Sequence, residues 1–285
     1  MDAQRARILL ADLVGDPRLV IVSGKGGVGK STIARMIARL ARAAELRALV
    51  VSFDGFAPSE EGIEEQVLLA DAVMLDYLET HGFGPLASRL VHSGVVDAVS
   101  TAIPGIRDLL VLGKIKSIVN SGTHDLVLVD APASGHLLSL LTSPEGLGEI
   151  ASDGPVAEQA REVLTLIRDH DVAGVVLVTL PEETPVVETE EVYATLVAKV
   201  GASVLSCVVN RMPSAAMGRA VQGTREAAAT AYLARVRALA SEQLEIVRDR
   251  LPVPLFLTPR IGLAHDGVPV SLELLGHLQA DGATA

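Results

Sequence analysis

Gly24-Lys25-Gly26-Gly27-Val28-Gly29-Lys30-Ser31-Thr32 follows the short apolar run Leu19-Val20-Ile21-Val22 and precedes Ile33 to Ala43, a stretch rich in helix formers. The nine residues fit the pattern G-x-x-x-x-G-K-S/T, with Gly24, Gly29, Lys30 and Ser31 in the fixed places. Such glycines let backbone N–H groups curl around a polyphosphate, and the helix that follows adds the positive end of its dipole. In this arrangement Lys30 reaches the β- and γ-phosphates and the Ser31 hydroxyl ligates Mg²⁺. Strand, glycine-rich loop and helix occur in the order the motif requires. The stretch therefore implies a nucleoside triphosphate, cradled by Gly24 through Thr32.

Working outward, six short β-type runs can be read: Leu19–Val22, Arg47–Ser52, Leu126–Asp130, Gly174–Leu180, Ser203–Val209 and Val253–Leu257. Most are continuously apolar, as expected of parallel strands covered on both faces. Helical patterns lie between them at Thr32–Ala44, Val186–Lys199 and Arg225–Arg250. Alternating β and α predicts a doubly wound, mostly parallel α/β sheet with right-handed crossovers and ligands at the carboxyl ends of its strands. The whole of 1–285 reads as a single domain of this kind. Two crossovers exceed the dozen or so residues that a β-α-β return needs, so 55–125 and 135–173 read as helical insertions over the nucleotide edge. Helices are expected in them at Val67–Leu78, Pro85–Ala102, Ile106–Val119 and Pro155–Arg168. Gln279–Ala285 reads as a frayed tail.

Other residues suit a nucleotide site. Leu126-Val127-Leu128-Val129-Asp130 is an apolar strand ending in a carboxylate, which at that tip can hold Mg²⁺ through water. It runs into Ala131-Pro132-Ala133-Ser134-Gly135-His136, where Gly135 can offer its N–H to a γ-phosphate. Asp54, in Val51-Ser52-Phe53-Asp54-Gly55, follows the second apolar run and is a carboxylate able to polarise water. Asn210, in Val208-Val209-Asn210-Arg211, carries an amide that donates and accepts, which suits an adenine edge.

The loop holds a second lysine, Lys25, in a chain with five lysines against nineteen arginines. G-K-G-G-V-G-K-S-T resembles the deviant Walker A motif shared by the ArsA, ParA, MinD and nitrogenase iron-protein ATPases. The resemblance implies a dimer sandwiching two nucleotides, with Lys25 reaching the partner's nucleotide as a catalytic group. D-A-P-A-S-G-H resembles the D-T-A-P-T-G-H switch of the arsenite-pump and tail-anchored-protein-targeting ATPases. Asp54 matches the water-orienting acid of that family's S-T-D-P-A-H, although Gly55-Phe56-Ala57 departs from the residues expected after it. Asn210-Arg211 is similar to the family's adenine-reading N-Q/R, Val253-Pro254-Leu255 to its v-P-L segment beside the base, and Pro104-Gly105-Ile106-Arg107-Asp108 to its P-G-I/M-x-E. The chain is thus identified as a short, cysteine-poor member of the ArsA/tail-anchored-protein-targeting family. This implies an ATP- and Mg²⁺-dependent ATPase, a homodimer or a heterodimer with a paralogue, and a protein or membrane-protein client. A ParA/MinD-like positioning ATPase is the alternative, although Val270–Ala285 has no Lys or Arg for a basic lipid-binding helix. The in-loop Lys25 argues against a small-molecule kinase.

Composition sets further bounds. A net charge of −11 argues against a nucleic-acid backbone binder, and 2% aromatic residues with no Trp remove the usual stacking platform. Hydrophobic content is high at 49%, yet no apolar run reaches the roughly 18 residues of a membrane span. The N-terminus lacks an apolar secretory segment, so a cytoplasmic location is expected. The single cysteine, Cys207, lies in an apolar run and reads as a buried small hydrophobe, which leaves no zinc-bridging C-x-x-C and no thiol pair for arsenite.

Overall fold

The computed structural model describes residues 1–53, 60–79, 105–150, 153–213, 224–261 and 270–281. Among these, eight strands form one sheet: β1 Leu19–Ser23, β2 Ala48–Ser52, β3 Glu64–Val67, β4 Leu126–Asp130, β5 Ala173–Thr179, β6 Val204–Met212, β7 Leu255–Pro259 and β8 Gln279–Ala280. Their spatial order is β3-β2-β4-β1-β5-β6-β7-β8, parallel throughout except for β7–β8. The helices are α1 Ala3–Val14, α2 Lys30–Ala43, α3 Ala70–Leu78, α4 Ile106–Asn120, α5 Ser134–Ile150, α6 Pro155–Arg168, α7 Glu183–Thr195, α8 Thr224–Arg250 and α9 Val270–Leu275. The chain continues from α7 into a π turn, Leu196–Val200.

Successive strand residues point to opposite faces, so a strand buried on both sides must be apolar at every position. Leu19, Ile21, Val127, Val129, Val175 and Leu177 face one core, closed by Leu109 and Ile115 of α4, Leu137 and Leu141 of α5, Val163 and Ile167 of α6 and Val186 of α7. Val20, Val22, Leu128, Val176 and Val178 face the other, closed by Leu13 of α1, Ile33, Met36, Ile37 and Leu40 of α2 and Leu274 of α9. The α2 residues recur at helical spacing, and each such side chain, fully buried, contributes about 1.5–3 kcal/mol. The Ser206 hydroxyl of β6 donates to the Leu13 carbonyl at 2.6 Å, pinning the end of α1 to the sheet. Cys207 is wholly buried, and burial pushes its thiol up to about 12, as suits an inert core residue.

This is the doubly wound P-loop fold expected, and all six expected strands are present, with ends displaced by three residues at most. The structure adds β3 inside the 55–125 region and β8 inside the supposed tail, where Gln279 pairs with Leu257. Val67 closes β3, so the helix expected from Val67 begins instead at Ala70. Helices α1 and α9 were not anticipated, α5 was expected only as part of the helical insertion 135–173, and the helix expected at Pro85–Ala102 lies outside the described residues. Helices α4, α5 and α6 cover a face of the sheet, and the starts of α3, α4 and α5 also reach the cavity beside the glycine loop.

Candidate functional site

Loop geometry explains two of the glycines. Gly24 has φ +157°, and a Cβ there would lie 2.1 Å from the Val178 carbonyl oxygen of β5. Gly29, the residue before α2, is left-handed at φ +101°, and a Cβ would meet Asn210 Nδ2 at 2.4 Å. The inner side of the loop is thus pressed against β5 and the tip of β6. On the other side, a Cβ at Gly26 or Gly27 would meet nothing within 4 Å, which leaves a cradle open for a ligand. The Lys30 ammonium donates to the Lys25 carbonyl across this cradle at 3.2 Å.

Beside the loop lies a cavity of about 450 Å³. Among the described residues it is lined by Gly26, Lys30 and Ser31 of the loop, Phe53 at the end of β2, Asp130 to Ala133 after β4, His136 and Leu140 of α5, and Arg107 and Asp108 of α4. Asp130 and Ser31, the expected Mg²⁺ pair, therefore share one cavity with Lys30. A hydroxyl and a carboxylate flanking an ammonium form a donor set that fits a phosphate-bound Mg²⁺. The Ser134 N–H donates to the Gly24 carbonyl at 3.1 Å, so the segment after Asp130 is tied directly to the loop. Gly135 lies in the first turn of α5, where helix N–H groups lack intrahelical partners, but it does not line the cavity. Its neighbour His136 does. Burial pushes the Asp108 carboxyl above the usual range, and nearby His136 pulls the other way. Asp54, with 55–59, lies outside the described residues. Lys25, Gly27, Val28 and Thr32 belong to the loop or α2 but do not line this cavity.

Asn210 is buried and already engaged. Its Nδ2 donates to the Val28 carbonyl at 2.8 Å, and its Oδ1 accepts from Thr258 Oγ1 and from the Arg211 N–H, both at 2.8 Å. The amide carbonyl is fully used and one N–H hydrogen remains for a ligand, so Asn210 acts here as a clamp between the loop and the ends of β6 and β7. Arg211, left-handed at φ 60°, lines a second cavity of about 450 Å³ at the carboxyl ends of β5 to β7, with Pro181, Tyr232 and Arg260. Pro254 and Leu255, expected beside the base, are a correction. Leu255 opens β7 and pairs with Cys207, whereas Pro259 pairs with Met212, so the parallel register puts Pro254 and Leu255 at the strand's far end. Thr258 to Arg260 occupy the ligand edge instead.

Two residues that sequence reading left without a role, Arg107 and Asp108, line the cavity beside the glycine loop. The signal was the family-like Pro104-to-Asp108 stretch of sequence; that Arg107 and Asp108 reach this cavity depends on how α4 packs. The Lys25 ammonium lies 2.5 Å from Glu188 Oε1 of α7 in the same chain. No helix among the described residues is long and apolar enough to cross a membrane.

The family model for the CobQ/CobB/MinD/ParA nucleotide binding domain matches residues 19–222. ATPase BagA of Mycobacterium tuberculosis is 32% identical over 222 residues, which cover 68% of this chain and 65% of that relative. The chain thus spans just under two thirds of the length of that mycobacterial protein. A Halobacterium salinarum protein named for an arsenical pump-driving ATPase is 25% identical over 94% of this chain and 45% of its own length. An ATPase ASNA1 homologue of Trypanosoma cruzi is 24% identical over 77% of this chain and 82% of its own.

Proposed function

That the chain belongs to the CobQ/CobB/MinD/ParA nucleotide-binding family, and within it to the ArsA/ASNA1-like ATPases, is the premise from which we propose that it binds ATP with Mg²⁺, hydrolyses it, and couples the cycle to a dimer that handles a protein or membrane-protein client. The observation that carries this reading is the cavity shared by Lys30, Ser31 and Asp130 beside a loop whose open side is all glycine.

In this reading the N–H groups of Gly26 to Thr32 and the start of α2 hold the phosphates, and Lys30 moves from the Lys25 carbonyl to the β- and γ-phosphate oxygens. Ser31, and Asp130 through water, would hold Mg²⁺, which when bound would supply positive charge to the phosphates. Asp54 orients the attacking water. Gly135 meets the γ-phosphate once α5 shifts toward the loop, a shift that the Ser134–Gly24 bond would transmit. The base lies toward Arg211 and the cavity beside β6 and β7. Lys25 leaves Glu188 for the nucleotide of a second subunit, identical or paralogous.

A ParA/MinD-like positioning role draws no support from α9, whose Ser271 and Leu274 are buried and whose Ser271 hydroxyl is bonded by Arg39 of α2. The deciding experiment is retention of labelled ATP by wild type and by Lys30→Ala, each with Mg²⁺ and with a chelator, beside release of phosphate. Loss of retention in Lys30→Ala and slow, Mg²⁺-dependent turnover in wild type are expected. Equal retention by both proteins overturns the assignment.

A further inference from the structure

Arg107 stands on the first turn of α4 and lines the same cavity as Lys30, Ser31 and Asp130. The backbone that carries it is fixed. Ile106, Leu109, Leu110 and Val111 are buried, and at Gly105, just before the helix, a Cβ would strike Ser143 of α5 at 2.9 Å. Its guanidinium is paired with Asp71 on the first turn of α3 at 3.4 Å, with the two side chains 39% and 70% exposed. A pair so long and so wet contributes about 1 kcal/mol at most. A guanidinium facing a phosphate, by contrast, makes two parallel charge-assisted bonds. Asp71 outside the cavity, alongside the further contact that Arg107 makes, and an anion inside the cavity thus compete for one planar cation.

We propose that Arg107 is a terminal-phosphate ligand supplied in cis by the helical layer, exchanging Asp71 for the γ-phosphate of bound ATP. The inference rests on the reading that ATP occupies the loop, and adds to it the group that tells triphosphate from diphosphate. ADP offers nothing at that position, so in ADP the guanidinium stays with Asp71 and α3 stays tied to α4. In ATP that tie is given up, while Lys114–Asp76 and the buried Val73 and Met74 keep the rest of α3 on α4. A ligand shifts such an equilibrium only through contacts that differ between the two states, and Arg107 supplies one.

The test is equilibrium binding of ADP and of a hydrolysis-resistant ATP analogue, both with Mg²⁺, to the full chain and to Arg107→Gln, Asp71→Asn and Lys30→Ala. Arg107→Gln should weaken the analogue about tenfold or more and ADP less than about twofold, as loss of a bidentate charged contact to one phosphate requires. Asp71→Asn removes the competitor, so it should tighten the analogue relative to ADP, and it gives an answer even if Arg107→Gln unfolds. Equal weakening of both ligands by Arg107→Gln, or an unchanged ratio in both variants, overturns the proposal and leaves Arg107 a structural cation. Failure of the underlying reading has a different signature: wild type then retains neither ligand, or Lys30→Ala retains both.

Discussion

Lys25 and Glu188, 163 residues apart in sequence, form an ion pair of 2.5 Å in which each side chain is about one third exposed. The lysine that resemblance assigns to a second subunit's nucleotide is here held by its own chain. Pairs of this exposure are worth about 1 kcal/mol or less, so the bond biases Lys25 without locking it.

Freeing the lysine should favour association. Glu188→Gln is expected to leave ATP affinity of the isolated chain unchanged and to shift nucleotide-dependent dimerisation to a several-fold lower protein concentration, up to about fivefold for 1 kcal/mol. Light scattering across a dilution series with ATP and with ADP, any paralogue included, reads this directly. A midpoint that does not move would mean that Glu188 exerts no hold on Lys25.

Gly24 and Gly26 should behave oppositely. Gly24→Ala drives a methyl group to within 2.1 Å of the Val178 oxygen, so the loop must lift from β5, at a cost of about 1–3 kcal/mol. ATP retention should fall with it. Gly26→Ala has open space around the new carbon and should melt like wild type. Thermal melts of both variants measure the difference: equal melting of the two would mean that the loop yields at Gly24 without cost.

Asn210→Ala should cost about 2 kcal/mol or more, because the Val28 carbonyl and the buried Thr258 hydroxyl each lose a partner. Thr258→Val removes both the hydroxyl and its need for a partner and should cost less. Denaturant melts rank the two, and a cheap Asn210→Ala with weakened ATP binding would point to a ligand contact in place of the clamp.

Arg47 donates twice to Asp125 from its side chain and once from its backbone, holding that carboxyl at about 2. The folded pKa lies below the unfolded value of about 3.9. The pair's contribution is therefore complete above about pH 4 and is lost as pH falls from there toward 2. Carboxylate titration by NMR should find Asp125 below the ordinary aspartate value, and Asp125→Asn should flatten that part of the stability profile. Solvent screens both groups, so the effect at neutral pH is small.

What could be read along the chain was whatever depends on neighbours in sequence. The apolar runs of β1, β2 and β4 to β7, the loop's glycines and lysines and the acid at the tip of β4 carry their signals locally, because a strand covered on both faces must be apolar at every step. Glu64–Val67 carries no such signal: it is a largely polar edge strand, made a strand only by pairing with β2. Gln279–Ala280 is likewise defined by β7. Register settled matters that motif likeness could not, since Pro254 and Thr258 sit in one segment but at opposite ends of β7, and Thr258 is the one that bonds Asn210 beside the glycine loop. The same holds for Asn210 against the Val28 carbonyl, for Lys25 against Glu188 and for Arg107 and Lys30 lining one cavity, where distant segments come together because the helices pack on a parallel sheet. Composition and periodicity set which residues were buried, whereas the ends of the strands, which gather distant loops at one edge, set which residues share the site.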